Sequence, residues 1–399
     1  MGFKYVVLGA GRQGVAAAYD LAKFDGTASI TLADLDLASA QLALARIRKL
    51  LAKEDGAQKF ILKAVQADAG NEKQLKKALK GRHVVLSALP YYLNEAAAKT
   101  ALACRVHYCD LGGEARATRN ILKLDAAARN AGVALVPDCG LAPGLSNTLA
   151  AAGIEQMEIC QSVKIYCGGL PKHPKPPLGY KLVYSLEGLL ESYFGAAYVV
   201  SKGAVKKIES FSGLESVVID PLGQLEAFFT AGGSSTAPWT FQNRLWGYQY
   251  KTLRYPGHYE RMKLIREMGL LDRRPINVNG GSVVPRDFFI RHASAVLKFP
   301  DDEDIVVLRV AVCGKNNTRN VEVVYDLLEY ADPETGFSAM ERTTGYAAAL
   351  VAKMLAAGAV KGNGAATMDC ALWPRRFLDE IRQKGFRVTE TIRKKISHH

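Results

Sequence analysis

At 399 residues the chain exceeds the roughly 150 that one domain usually holds, so two or three domains are expected. Hydrophobic residues at 49% and charged residues at 23% are globular proportions and exclude a disordered chain. The 52 Lys and Arg against 39 Asp and Glu leave a net charge of +13, which raises a nucleic-acid partner as a question for the motifs to answer.

From the N-terminus, β-rich runs at Tyr5–Leu8, Ser29–Ala33, Phe60–Ala67, Val84–Ala88, His107–Leu111 and Val133–Val136 alternate with helical apolar spacing, as in Ala38–Leu51, Glu72–Leu79 and Glu95–Ala103. Repeated strand and helix predict a parallel sheet covered on both faces, an α/β domain of the Rossmann-type doubly wound kind. No cationic leader precedes the first strand, so a cytoplasmic protein is expected. From about Ser162 strands follow one another at Val163–Tyr166, Ala204–Ile208, Val217–Ile219, Ile305–Val312 and Val321–Leu328. The last two are joined by the turn Gly314–Thr318, whose Asn316-Asn317-Thr318 reads as a hairpin tip rather than a glycosylation site. These runs predict an inserted α+β domain with a mixed or antiparallel sheet. The Pro-rich segment Gly168–Gly179 reads as a stiff loop at the rim of a cleft. Met340–Ala357 is an Ala-rich helix closed by Gly358 and suited to close packing. The apolar run Tyr346–Val360 carries Lys353 and falls short of the ~20 residues of a membrane helix, so no membrane association is expected. Seven cysteines without a CxxC pair, and no completing His or Cys set, predict free thiols and no metal. The terminal His398 and His399 are given no role.

Gly9-Ala10-Gly11-Arg12-Gln13-Gly14 is a GxGxxG motif directly after the first strand and at the start of a helix. Gly9 makes the tight turn, Gly11 lets backbone approach a pyrophosphate, and Gly14 permits close helix–strand packing. Arg12 lies beside the anion at the helix N-terminus. About 20 residues after Gly14 the second strand ends in Asp34, where a carboxylate takes ribose hydroxyls and repels a 2′-phosphate, favouring NAD over NADP. Helix capping is the alternative, better suited to Asp36. Asp68, and Ser87-Ala88-Leu89-Pro90, end the third and fourth strands, where such sheets bind ligands; a cap and a plain turn are the alternatives. The remaining cations are mixed with acids along helices and match no nucleic-acid module, so no nucleic-acid partner is expected.

HYCDLGGE (107–114), VPDCGLAPGLSN (136–147), PLGYKLVYSLEGLL (177–190), KTLRYPGHYERM (251–262) and SAMERTTGY (338–346) resemble the saccharopine dehydrogenase family over nearly the whole chain. Within it the likeness is greatest to the lysine 6-dehydrogenase branch. Two departures from the saccharopine reductase pattern support that branch: Ala142-Pro143-Gly144 followed by Ser146-Asn147, and Asn94 in SALPYYLN. The resemblance implies NAD-dependent oxidation of the ε-amine of lysine or a related small-molecule amine. It also implies a homodimer, and a dinucleotide domain of residues 1–124 and 336–399 interrupted by a catalytic domain of 125–335. A saccharopine or carboxynorspermidine type reductase, and a silent NAD-binding redox sensor, are the alternatives.

Amine oxidation needs a base, because an ammonium has no lone pair to stabilise the developing iminium. Asp110, Glu114 and Asp138 are candidates at strand ends facing the cofactor, although Asp110 equally reads as a buried acceptor ordering Gly112-Gly113. Tyr180 and Lys181 follow the Pro-rich rim, with Lys181 a candidate base or carboxylate anchor. A bidentate Arg suits the substrate α-carboxylate, and Arg254 or Arg244 can supply it. His258 is a candidate proton shuttle or a hydrogen-bonded structural residue. Thr343 and Thr344, and the loop Gly232–Thr236, offer small hydroxyl donors. Cys109 and Cys139 read as packing residues.

Overall fold

The structure, a computed structural model, describes residues 2–53 and 60–395; His398 and His399 lie outside the described residues. Six strands alternate with helices at the start: β1 (Phe3–Leu8), β2 (Thr27–Asp34), β3 (Ile61–Gln66), β4 (Val84–Ser87), β5 (His107–Asp110) and β6 (Ala134–Val136). All run parallel in the order β6-β5-β4-β1-β2-β3. Val6 and Val7 of β1 are both fully buried although they point to opposite faces, as a sheet covered on both sides requires. The strand order reverses between β1 and β4, and the carboxyl ends of strands at such a reversal are where open parallel sheets bind ligands.

The chain then builds a nine-stranded mixed sheet. Its strands begin with β7 (Ile159–Pro171), β8 (Ala196–Ser201), β9 (Ala204–Glu209), β10 (Ser212–Ile219), β11 (Gly223–Phe229) and β12 (Gly247–Arg254). After a separate small hairpin, β13 (Ile276–Val278) and β14 (Gly281–Val283), come the long β15 (Asp304–Asn316) and β16 (Arg319–Tyr330). β15 pairs with β7 and β16 along their lengths, and β7 runs parallel to β12. The expected hairpin turn falls at Asn317-Thr318, with Asn317 left-handed at φ +50°.

The C-terminal segment returns to the first sheet. Ala347–Ala356 is buried almost all round, and β17 (Gly364–Ala365) extends the parallel sheet beside β6. A Cβ on Gly345 would lie 2.9 Å from Ala16 Cβ and 3.0 Å from Gln13 O, so this glycine sets how closely the returning helix meets the first helix, Arg12–Ala22. The segment Arg342–Tyr346 is π-helical, a local widening inside the Ala-rich helix the sequence predicts as regular. Lys384 Nζ bonds both carboxylate oxygens of buried Asp20 at 2.8 and 2.7 Å, pinning the last helix to the first. The sheets depart from the expected division at two places: β6, beyond residue 125, belongs to the parallel sheet, while β18 (Val388–Lys395) pairs with β16 in the mixed one.

Candidate active site

The glycine-rich turn has the steric character its spacing predicts. Gly9 stands at φ +92°, and a Cβ there would come within 2.8 Å of Ala88 O. On Gly14 a Cβ would strike Gly9 O at 2.0 Å, whereas on Gly11 it would meet nothing within 4 Å. The open side of Gly11 and the uncapped helix N-terminus that follows form a cradle that fits a pyrophosphate. Asp34 completes it: its carboxylate accepts from Ala10 N at 2.7 Å and Asp36 N at 3.0 Å, which tethers it to the glycine loop. Asp36 is the helix cap, bonding the amides of Ala38 and Ser39.

Other residues expected at the cofactor are committed elsewhere. Arg12 Nε pairs with the buried Glu341 carboxylate at 2.7 Å and Nη2 reaches Ser338 Oγ, so this arginine clamps the returning segment to the glycine loop. Asp68 folds back on Gly70 N in an Asx turn. Ser87 donates to Asn94 Oδ1 at 2.8 Å, Ala88 packs against the two glycines, and Pro90 opens the short helix Tyr91–Leu93. Gln13 Oε1 is buried and finds no hydrogen-bond partner among the described residues.

At the end of β5 two buried carboxylates come together. Asp110 accepts from Gly112 N at 2.7 Å, Asp138 N at 3.1 Å and Tyr108 Oη at 2.8 Å, the set of bonds of a residue ordering its loop. Burial raises its pKa against the lowering effect of those donors. Asp138 differs. It holds a left-handed φ of +62°, accepts from Thr118 Oγ1 at 2.9 Å, and leaves Oδ2 buried without a hydrogen-bond partner among the described residues. Burial, and secondarily the Asp110 charge, push its pKa up to about 8. Strained backbone, an orphaned buried oxygen and a perturbed carboxylate at one residue mark a functional position. Glu114, by contrast, spends both oxygens capping the helix Ala115–Leu122, on Arg116 N and Ala117 N at 2.8 Å each.

The mixed sheet supplies the facing wall. Ser235, left-handed at φ +44°, turns its hydroxyl toward Asp138, and a Cβ on Gly232 would lie 3.2 Å from Gly113 O. On Gly233 a Cβ would penetrate the Tyr250 ring, and the charge of Arg254 reaches both Tyr250 and Tyr184. The loop Gly232–Thr236 thus runs between Asp138 and the aromatic residues packed around Arg254. This guanidinium ends β12 and is 3% exposed, under the Tyr180 ring at 4.9 Å. Its Nε donates to Tyr193 Oη at 2.9 Å, and Nη1 donates to Thr252 Oγ1 at 3.0 Å and Leu253 O at 2.6 Å. Those bonds occupy Nε and Nη1 and close off the bidentate fork expected from sequence, while the Tyr184 hydroxyl also lies against the guanidinium.

Several expectations for the second site change. Arg244 is exposed, stacks over Phe241 and lies toward Cys160, away from the Arg254 pocket. His258 does not fit a proton shuttle: it is fully buried, both ring nitrogens are hydrogen-bonded, and burial with the Arg254 charge pushes its pKa down to about 3. Lys181 Nζ donates to the carbonyls of Lys298 and Phe299, and Thr343 Oγ1 bonds back to Ala339 O within its own helix. Thr344 faces Met340 Sδ. Tyr193 escaped the sequence reading, because nothing local marks it among the apolar residues of the helix Leu186–Phe194.

Comparison with known proteins settles the lineage. Residues 5–136 match the saccharopine dehydrogenase NADP binding domain and residues 140–386 the saccharopine dehydrogenase C-terminal domain. The chain belongs to the saccharopine dehydrogenase family. Saccharomyces cerevisiae saccharopine dehydrogenase (NADP(+), L-glutamate-forming) is 24% identical over 442 residues, spanning 91% of this chain and 93% of that protein. Rat mitochondrial alpha-aminoadipic semialdehyde synthase is 25% identical over 77% of this chain, which spans 40% of that longer protein. The apo saccharopine dehydrogenase (L-Glu forming) structure from Saccharomyces cerevisiae shares the fold at a TM-score of 0.78 and 22% identity, with 98% of this chain and 100% of that one covered. The saccharopine dehydrogenase family fold is thus the predicted one, a parallel nucleotide-binding sheet joined to a mixed sheet. Among the described residues no helix is long and apolar enough to cross a membrane, no acid, His and Cys cluster suits a metal, and no disulfide joins any of the cysteines.

Proposed function

We propose that the protein is an NAD-dependent dehydrogenase that converts L-lysine to 2-aminoadipate 6-semialdehyde with release of ammonia, the lysine 6-dehydrogenase reaction. One observation carries this reading: among the described residues Arg254 is a strongly buried cation with no carboxylate paired to it. Among the described residues Lys251, Arg254 and Arg286 are the strongly buried Lys and Arg side chains. Lys251 pairs with Glu215 and Arg286 with Glu191, whereas Arg254 has no carboxylate within ion-pair distance. An unpaired buried charge is costly and favours a matching ion from outside. One guanidinium serves one carboxylate, which lysine carries and saccharopine exceeds.

In this reading Arg254 Nη2 takes the α-carboxylate of lysine and Tyr180 covers the aliphatic chain. Asp138 receives the proton of the ε-ammonium, freeing the lone pair; its pKa of about 8 lies closer to that of an amine than an ordinary carboxylate does. A nicotinamide bound at the glycine loop would supply the hydride acceptor for Cε. With Asp138 now holding the amine's proton, the Asp110 carboxylate is the charge left to stabilise the positive carbon–nitrogen group until water adds and ammonia leaves. Asp34 selects NAD, since no Lys or Arg between it and Arg46 is available to a 2′-phosphate. A homodimer through the mixed sheet accompanies the reading and is checked by light scattering.

Oxidation of saccharopine is the second reading, favoured by the end-to-end match to the yeast saccharopine dehydrogenase. Protein mixed with NAD or NADP, and with lysine, saccharopine or diamines in turn, separates the two by reduced-nicotinamide absorbance. Lysine with NAD alone gives the rise expected here. A rise with saccharopine and none with lysine establishes the second reading.

A further inference from the structure

The polarity of the hydrogen bonds behind Arg254 is fixed at both ends. Leu178 O can only accept, so His258 Nδ1, 3.1 Å away, carries the proton and donates it. That leaves Nε2 bare, and it accepts from Tyr193 Oη at 2.8 Å. The phenol oxygen, its own proton spent on the histidine, turns lone pairs to Arg254 Nε–H at 2.9 Å, a group that can only donate. No other arrangement of protons satisfies all three bonds with a neutral imidazole. The chain links three separate elements: the Pro-rich rim through Leu178, the helix Leu186–Phe194 through Tyr193, and the first residue of the helix His258–Glu267. All of it engages the Nε side of the guanidinium.

We propose that Tyr193 and His258 are positioning residues that aim Arg254 Nη2 at the substrate carboxylate, with His258 acting as a permanently neutral acceptor. The relay rests on the carboxylate-binding role of Arg254 and adds to it how the side chain is held. The guanidinium could rotate about its last torsions; a donor-specific acceptor at Nε, with Thr252 and Leu253 at Nη1, removes that freedom before substrate arrives. Aromatic packing fixes the relay in turn, since the Tyr193 ring meets Phe211, Phe228 and His258 at 5.3, 5.5 and 5.9 Å.

The test uses Tyr193→Phe, which deletes one oxygen and keeps the buried ring, and the pair His258→Phe and His258→Gln. Glutamine retains one donor and one acceptor. Steady-state kinetics are measured with whichever carboxylated amine the wild type oxidises, lysine or saccharopine, and with 1,5-diaminopentane, which has no carboxylate. For the carboxylated amine Tyr193→Phe and His258→Phe are expected to raise KM about 10- to 100-fold, with kcat within about threefold and NAD binding by fluorescence unchanged. His258→Gln recovers most of the loss. For the diamine all four proteins agree within about threefold. Equal damage to both substrates means the relay is merely structural and overturns the proposal, as does an unchanged KM in Tyr193→Phe. Arg254→Met separates the levels: if it too leaves KM for the carboxylated amine unchanged, the carboxylate role itself fails, whereas a raised KM there with none in Tyr193→Phe sinks the relay alone.

Discussion

Arg254→Met separates the two roles a buried guanidinium can have, holding the fold or holding a ligand. Without ligand the wild-type side chain makes three hydrogen bonds, to Tyr193, Thr252 and Leu253. At about 1.5–3 kcal/mol for each bond from a charged donor they contribute roughly 5–9 kcal/mol. Against them stands the desolvation of an ion with no counter-charge, several kcal/mol in a protein interior. The two nearly offset, and methionine fills much of the same volume beneath Tyr180 without desolvating a charge. The substrate-free variant is therefore expected to melt within a few degrees of the wild type. Transition-state binding has no such offset. Two N–H groups on Nη2 to a carboxylate are worth about 3–6 kcal/mol, so kcat/KM for lysine should fall about 10²- to 10⁴-fold. Absorbance kinetics and a thermal melt on the same preparation give both numbers. A collapse of the melting temperature with kcat/KM falling in proportion to the folded fraction would show that Arg254 serves the fold, and the reasoning from its missing counter-charge would be refuted.

Asp34→Ala should weaken NAD binding about tenfold and narrow the margin over NADP, read by fluorescence titration of both nucleotides; unchanged selectivity would remove Asp34 from cofactor choice. With the Asp138 pKa raised to about 8, wild-type kcat/KM should climb with pH and level above about 8, and Asp138→Asn should lose that limb with most of the activity. The same shift works on stability in a definite direction: the folded state holds the proton more tightly than the unfolded chain, so stability is full below about pH 4, declines as pH rises toward 8 and is flat beyond, a slope that Asp138→Asn should shrink in denaturant titrations. Lys384→Met leaves Asp20 buried without its ammonium and should cost about 3–5 kcal/mol, while adding Asp20→Leu should restore most of it; equal instability of single and double variants would argue against a charge effect.

What was legible in the sequence is what is decided within a few residues. Gly9 and Gly14 are demanded by contacts with Ala88 and with each other, so their spacing announces them, and Asp34 is fixed by the strand end that carries it. Of the two readings of Asp110, the loop-ordering one shows in its bond to Gly112 N. The second site resisted because its residues acquire meaning only from far along the chain. His258 looks like any single histidine until Tyr193 and Leu178, 65 and 80 positions away, consume both ring nitrogens. Arg244 and Arg254 look equivalent in sequence, yet one precedes β12 in solvent while the other ends it in the core. β12 itself is absent from the predicted strands, and its sequence GYQYKTLR carries two cations that are buried in the structure. That failure is informative. A strand in a two-sided sheet admits Lys251 because Glu215 answers it, and its other cation, Arg254, stands with no acid to answer it. Local pattern is violated most sharply at the residue where the proposed ligand supplies the missing charge.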